Sequence, residues 1–221
     1  MNLPDHLLPP AWTWVGHVLF ALVFLWVVRT APWRRLKDAP LLNLWLGTSV
    51  VLMGIWSIKT GIKPGLNFHL LGATAFTLMF GPQLAIAGIG VVLLGVTLAG
   101  MSGWTGFSWN ALLMGVLPVG VSYAIYRVAD RKLPNHLFVY IFLNGFFGAA
   151  LAIASTGIAS TLLLHLAGVY PPGYLYGEYL PFYILIGWSE AVSTGAAVTL
   201  MAVYRPGWLS TFDDARYLRS K

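Results

Sequence analysis

Between Lys63 and Arg127 the chain carries no Asp, Glu, Lys or Arg for 63 consecutive residues. About 20 helical residues cross the hydrocarbon core of a bilayer, so a run of this length must fold back on itself. Further uncharged stretches cover residues 11–28, 39–58 and 133–177, and an apolar stretch interrupted only by Glu190 covers 179–204. Hydrophobic residues make up 58% of the 221 and charged residues only 9%, where a soluble domain carries about a quarter charged. The pattern is that of an all-α integral membrane protein.

Gly and Pro end helices, and inside the long run they cluster at Gly81-Pro82 and across 100–106. Seven spans are therefore expected, near 11–29, 40–58, 66–81, 82–100, 107–127, 137–167 and 180–204. The sixth is long, about 46 Å as a straight helix, and is expected to tilt, to kink near Ala154-Ser155-Thr156-Gly157, or to divide into a span and a re-entrant half.

Charge orients the bundle. With the N-terminus outside, Arg29, Arg34, Arg35, Lys37, Arg127, Arg131, Lys132, Arg205, Arg216, Arg219 and Lys221 fall on the cytoplasmic side, and Lys59 and Lys63 outside. Eleven of the thirteen cations then share one side, so an odd number of crossings and a cytoplasmic C-terminus are expected. The net charge of +6 follows from this topology. Nucleic-acid binding is not indicated, because the basic residues are dispersed among membrane flanks.

The first residues lack the positive n-region of a cleavable signal peptide, so the mature chain is expected to begin at Met1 with a primary amine at the outer face. With no cysteine there is neither a disulfide nor a thiolate ligand. Connections are short, so residues 1–221 read as a single transmembrane domain with an outer N-terminal segment, 1–10, and a cytoplasmic tail, 205–221. A multi-pass protein of the plasma, or inner, membrane is expected.

Four of the five histidines, His6, His17, His69 and His165, fall on the outer side in this topology, with Asp5 and Glu178 on the same side. Imidazole nitrogen and carboxylate oxygen together suit a borderline divalent metal. Against this stands interfacial anchoring or helix-packing hydrogen bonds for each histidine singly. His69 is the strongest candidate, since Pro64-Gly65 forces a turn ahead of it and its short span starts below the outer surface.

The opening Met1-Asn2-Leu3-Pro4-Asp5, the stretch Phe68-His69-Leu70-Leu71-Gly72-Ala73-Thr74 followed by Phe80-Gly81-Pro82, and Ser189-Glu190-Ala191 through Thr194-Gly195 resemble the CbiM/NikM family. These are the substrate-binding membrane components of energy-coupling factor (ECF) transporters for nickel and cobalt. The resemblance implies a seven-helix bundle with the N-terminus tucked inward, and a metal held by the terminal amine, the backbone nitrogen and side chain of a His at position 2, and a His at the mouth of the third span. Met1 and His69 match this set, whereas position 2 is Asn2, which stays among the candidate metal residues without an imidazole to offer. His6 can return an imidazole from another direction, but Pro4 has no N–H and blocks a continuous amide chelate. A Met1/His6/His69 set completed by Asp5 or water would suit zinc or cobalt, so nickel, cobalt and zinc all stay open as the substrate.

Glu190, an ionisable group inside a span, is expected to serve helix packing, partner contact or coupling, with direct metal binding as the alternative. Asn110, Asn144, Ser155 and Thr156 can bridge helices. There is no phosphate-binding G-x-x-x-x-G-K-[ST] loop, so no nucleotide is expected on this chain. The resemblance implies a membrane coupling (T) subunit, cytoplasmic ATPase subunits and in some cases a small accessory membrane subunit. Residues 127–132 and 209–219 are candidate docking surfaces, or simply solvated membrane flanks. A zinc hydrolase would need a helical ligand pair such as H-E-x-x-H, which the chain lacks. A stand-alone proton-coupled carrier or channel using Glu190 is the second reading.

Overall fold

The computed structural model describes residues 2–58, 60–61 and 67–217. Among these, seven helical segments run back and forth between two faces: α1 (Pro10–Thr30), α2 (Ala39–Ser57), α3 (Ala73–Phe80), α4 (Pro82–Leu98), α5 (Phe107–Lys132), α6 (Leu137–Leu166) and α7 (Pro172–Tyr204). All but α3 and α4 are long and apolar enough to cross a bilayer. The N-terminal residues lie at one face. At the opposite face, the tail carries a 3-10 turn, Pro206–Trp208, and a short helix, α8 (Asp214–Tyr217), and packs beneath the α3–α4 junction, where Ser210 N–H donates to the Met79 carbonyl.

The outer helices point their apolar side chains away from the bundle. In α1 only Gly16 and Val27 are buried, while Trp14, Val18 and Leu22 are exposed. Outward apolar faces of this extent fit lipid, since water-soluble monomers rarely carry them. The chain is a multi-pass membrane protein. The centre of the bundle is α3, of whose eight residues all but Ala75 are buried, as a helix apolar on every side requires. Phe76 packs edge-to-face on Trp45 of α2, whose indole N–H donates to the Leu84 carbonyl of α4.

The third span departs from expectation. A helix over 66–81 was expected, yet α3 starts only at Ala73, and Asn67–Phe68 forms a strand, β2, paired antiparallel with β1 (Thr60–Gly61). The expected turn at Pro64-Gly65 lies outside the described residues. Five extended residues, a left-handed glycine and eight helical residues reach about 30 Å, the thickness of the hydrocarbon core. Irregular backbone at that depth is tolerated where protein surrounds it, and Phe68, His69 and Leu71 are all buried. Gly72 sits in the left-handed region, φ 65°, which glycine adopts without cost and which turns the chain into α3.

Two further findings concern the long helices. Of the alternatives for the sixth span, division into a span and a re-entrant half is overturned; α6 is continuous over 30 residues, with a widened π turn at Tyr140–Phe147. The Thr156 hydroxyl donates to the Ala152 carbonyl and across to Leu113 of α5. The last helix starts at Pro172 instead of 180. Pro181 would ordinarily mark a helix start, but a π turn over Leu175–Tyr179 absorbs the missing N–H and the ring. The same device, a π turn over Leu112–Val116, precedes Pro118 in α5.

Candidate metal centre

The N-terminal segment is threaded into the bundle by a side chain that imitates a β-strand. Asn110, fully buried near the start of α5, accepts the Leu3 N–H at 2.7 Å and donates to the Leu3 carbonyl at 3.1 Å. Leu3 itself is 1% exposed. Room for this approach comes from Gly106 and Gly103, where a β-carbon would run into the Leu3 carbonyl and the Asp5 backbone. Further out, the Asp5 carboxylate accepts from the Thr105 N–H at 2.6 Å and hydroxyl at 2.8 Å, and the Thr105 hydroxyl accepts the His6 N–H. These bonds to the ionised form, the backbone one foremost, hold the Asp5 carboxyl below its usual 3.8.

This threading delivers Asn2 to His69, both buried. The Asn2 carboxamide oxygen lies 3.2 Å from His69 Nε2, and the Asn2 N–H donates to Asn67 Oδ1 at 2.8 Å. His69 Nδ1 is 3.0 Å from the Leu70 carbonyl, which only accepts; a proton on Nδ1 satisfies that contact, and Nε2 of the neutral ring then presents a lone pair when the Asn2 amide turns its NH2 toward the ring in place of its oxygen. A metal-binding histidine needs this arrangement, with the distal nitrogen tied to a carbonyl and the near nitrogen unprotonated. The ring is backed by Trp56 of α2, its centroid 4.7 Å away. Asn2 Nδ2 is buried and has no hydrogen-bond partner, so two amide orientations fit one pocket: NH2 toward the imidazole lone pair, or the carbonyl toward a cation.

The other sequence candidates are placed elsewhere or lie outside view. Met1 lies outside the described residues. Asp5 and His6 are exposed, with His6 in the left-handed region at φ 61°. Among the described residues no three His, Asp or Glu side chains gather into a metal-sized cluster, so His6, His69 and Asp5 are not brought together. His17 pairs with Ser108 at 2.7 Å, joining α1 to α5 as a packing contact. His165 stands edge-on to Tyr176 at the end of α6. Glu190 is buried in α7, where its two oxygens accept the N–H groups of Leu71 and Gly72, each at 2.7 Å. Asn67, Thr105 and Trp56 carry no sequence signal that marks them for the site; Asn110 is conspicuous only as a polar residue in an apolar stretch.

The profile of the family described as the CbiM cobalt uptake substrate-specific transmembrane region matches residues 2–208. The chain belongs to the CbiM family. CbiM relatives include the probable fused nickel transport protein LarMN of Lactiplantibacillus plantarum, 27% identical over 88% of this chain and 62% of that protein. The putative cobalt transport protein CbiM 1 of Methanosarcina barkeri is 26% identical over 92% of this chain and 88% of the other. The cobalt transport protein CbiM of Chlorobium limicola is 28% identical over 91% and 79%. This chain thus spans about three-fifths of the fused relative and most of the other two. The CbiM fold is also that of a crystal structure of a truncated transition-metal transporter, with TM-score 0.78 at 20% identity over 92% of this chain and 99% of the other.

Proposed function

We propose that this CbiM-family protein is the substrate-capture component of an ECF importer for a divalent transition metal, nickel or cobalt. The observation that carries this reading is the buried pairing of His69 with Asn2 at the N-terminal face, with His69 Nδ1 against the Leu70 carbonyl and Nε2 3.2 Å from the Asn2 carboxamide. Imidazole nitrogen with amide oxygen is a borderline donor pair suited to these ions. Met1, next in the chain to Asn2, is a further proposed ligand through its amine. Zinc fits the same donors and is an outcome of the test below. His6 and Asp5, bound to Thr105, serve to dock the segment that carries Asn2.

Metal capture alone moves nothing across a membrane. Energy is proposed to come from separate ATPase subunits acting through a membrane coupling subunit, with a small accessory membrane subunit where the complex has one. The stand-alone carrier reading needs Glu190 free to exchange protons along a path, whereas both of its oxygens are engaged by the backbone of Leu71 and Gly72, just ahead of α3. Uptake by vesicles holding this protein alone would favour that second reading.

Titration calorimetry on protein purified with Met1 as its first residue should show one divalent ion bound, tighter for cobalt or nickel than for zinc. His69→Ala should abolish binding, and a one-residue N-terminal extension should weaken it. Equal affinity in all three proteins would overturn the metal site, and tightest binding by zinc would reassign the substrate.

A further inference from the structure

Helix α3 begins at Ala73, so the N–H groups of Leu71 and Gly72 belong to non-helical backbone inside the bundle. A backbone donor at that depth needs a partner, and both are met by one carboxylate from α7. The Leu71 N–H belongs to the same planar peptide as the Leu70 carbonyl. That carbonyl is the acceptor facing His69 Nδ1. A chain of contacts therefore runs from the Glu190 carboxylate through the Leu70–Leu71 peptide to the imidazole. Hydrogen bonds in series polarise one another, and an anion on the N–H end strengthens the carbonyl as an acceptor.

We propose that Glu190 is a positioning residue for metal capture, acting through this peptide to set the tautomer and direction of His69. It does for His69 what a carboxylate bonded directly to a metal-binding histidine does, with a peptide group interposed. This rests on the metal-capture reading above. The rest of the segment is held from the same two helices: the Trp56 indole N–H of α2 donates to the Leu71 carbonyl, and Phe68 packs on Tyr179, Phe182 and Tyr183 of α7. A groove of about 510 Å³ between α2 and α7 is lined by Glu190, Gly72 and Leu70, so the relay lies beside a surface where movement of α7 would reach it.

The test is Glu190→Gln in detergent-solubilised protein, read by cobalt titration and by the imidazole signals of ¹⁵N-histidine-labelled protein, with His69 assigned by their loss in His69→Ala. The amide keeps one acceptor, sets an NH2 against one of the two backbone N–H groups and carries no charge, so the anion that polarises the peptide is lost while the volume is kept. Unmutated protein should show His69 protonated at Nδ1. In Glu190→Gln the two tautomers should mix, and cobalt should bind at least about tenfold more weakly, the effect expected when an outer partner of a metal ligand is lost. Glu190→Asp, which keeps both acceptors on a shorter arm, should fall between.

A tautomer unchanged from the unmutated protein with affinity within about twofold, set against the tenfold expected, would overturn the proposal. Where Glu190→Gln gives no folded protein, amide exchange in the unmutated chain decides. Residues 71 and 72 should be among the slowest outside the helices, and exchange there as fast as at 100–106 would overturn it. If the unmutated protein binds no cobalt, nickel or zinc, the capture reading itself falls; if it binds and Glu190→Gln is indifferent, only this inference does.

Discussion

Asn2 and His69 meet as a carboxamide that can turn and an imidazole whose far nitrogen faces a carbonyl, a contact that favours the proton on Nδ1. Neither property is visible in a residue's name; the sequence ranked His69 above His6 from its place at a helix mouth and left His6 as a substitute imidazole. His6 spends its backbone N–H on Thr105 and remains exposed, whereas His69 is enclosed by Trp56. At this scale Asp5 makes a pH prediction. Its carboxyl is held below 3.8 by Thr105, so its contribution to docking the N-terminal segment is complete above the usual carboxylate value and is lost as pH falls through the lower folded value. Amide exchange at residues 3–8 should stay slow from pH 7 to the usual carboxylate value and rise only below it, while Asp5→Asn should exchange faster already at pH 7.

Among the elements, the broken third span and the threaded N-terminal segment form the site together. Both are extended backbone at membrane depth, and each is satisfied by a polar side chain from a distant helix: Glu190 for Leu71 and Gly72, Asn110 for Leu3. Such pairings explain why hydropathy found the third span but misplaced its helix, since an apolar stretch reads the same whether coiled or extended. The π turns before Pro118 and Pro181 show the converse, helix continuing where proline marks a stop. Asn110→Ala removes both bonds to Leu3, worth roughly 1 kcal/mol each, and should weaken metal binding about tenfold or more by calorimetry. It should leave helix content unchanged, because α5 makes its own backbone bonds.

For the whole molecule, the charge pattern predicts an outer N-terminus, and the cations among the described residues lie at helix ends and connections on the tail face. There Arg216 pairs with Asp130 at 2.6 Å, joining the tail to α5. The cysteine-free chain allows a clean topology test. A single Glu178→Cys should react with an impermeant thiol reagent on intact cells, and Lys132→Cys only after permeabilisation; the reverse pattern would invert the topology. The sequence by itself determined that this is a multi-pass helical membrane protein, where most of its spans lie, and that His69 stands at the mouth of the third. Those properties follow from transfer free energy and charge, which add up locally along the chain. Only the tertiary structure decided that Asn2 reaches His69, that Asp5 and His6 stay outside, and that Glu190 closes on the backbone behind the imidazole. These are directional bonds between residues far apart in sequence, and their partners exist only once the helices have packed.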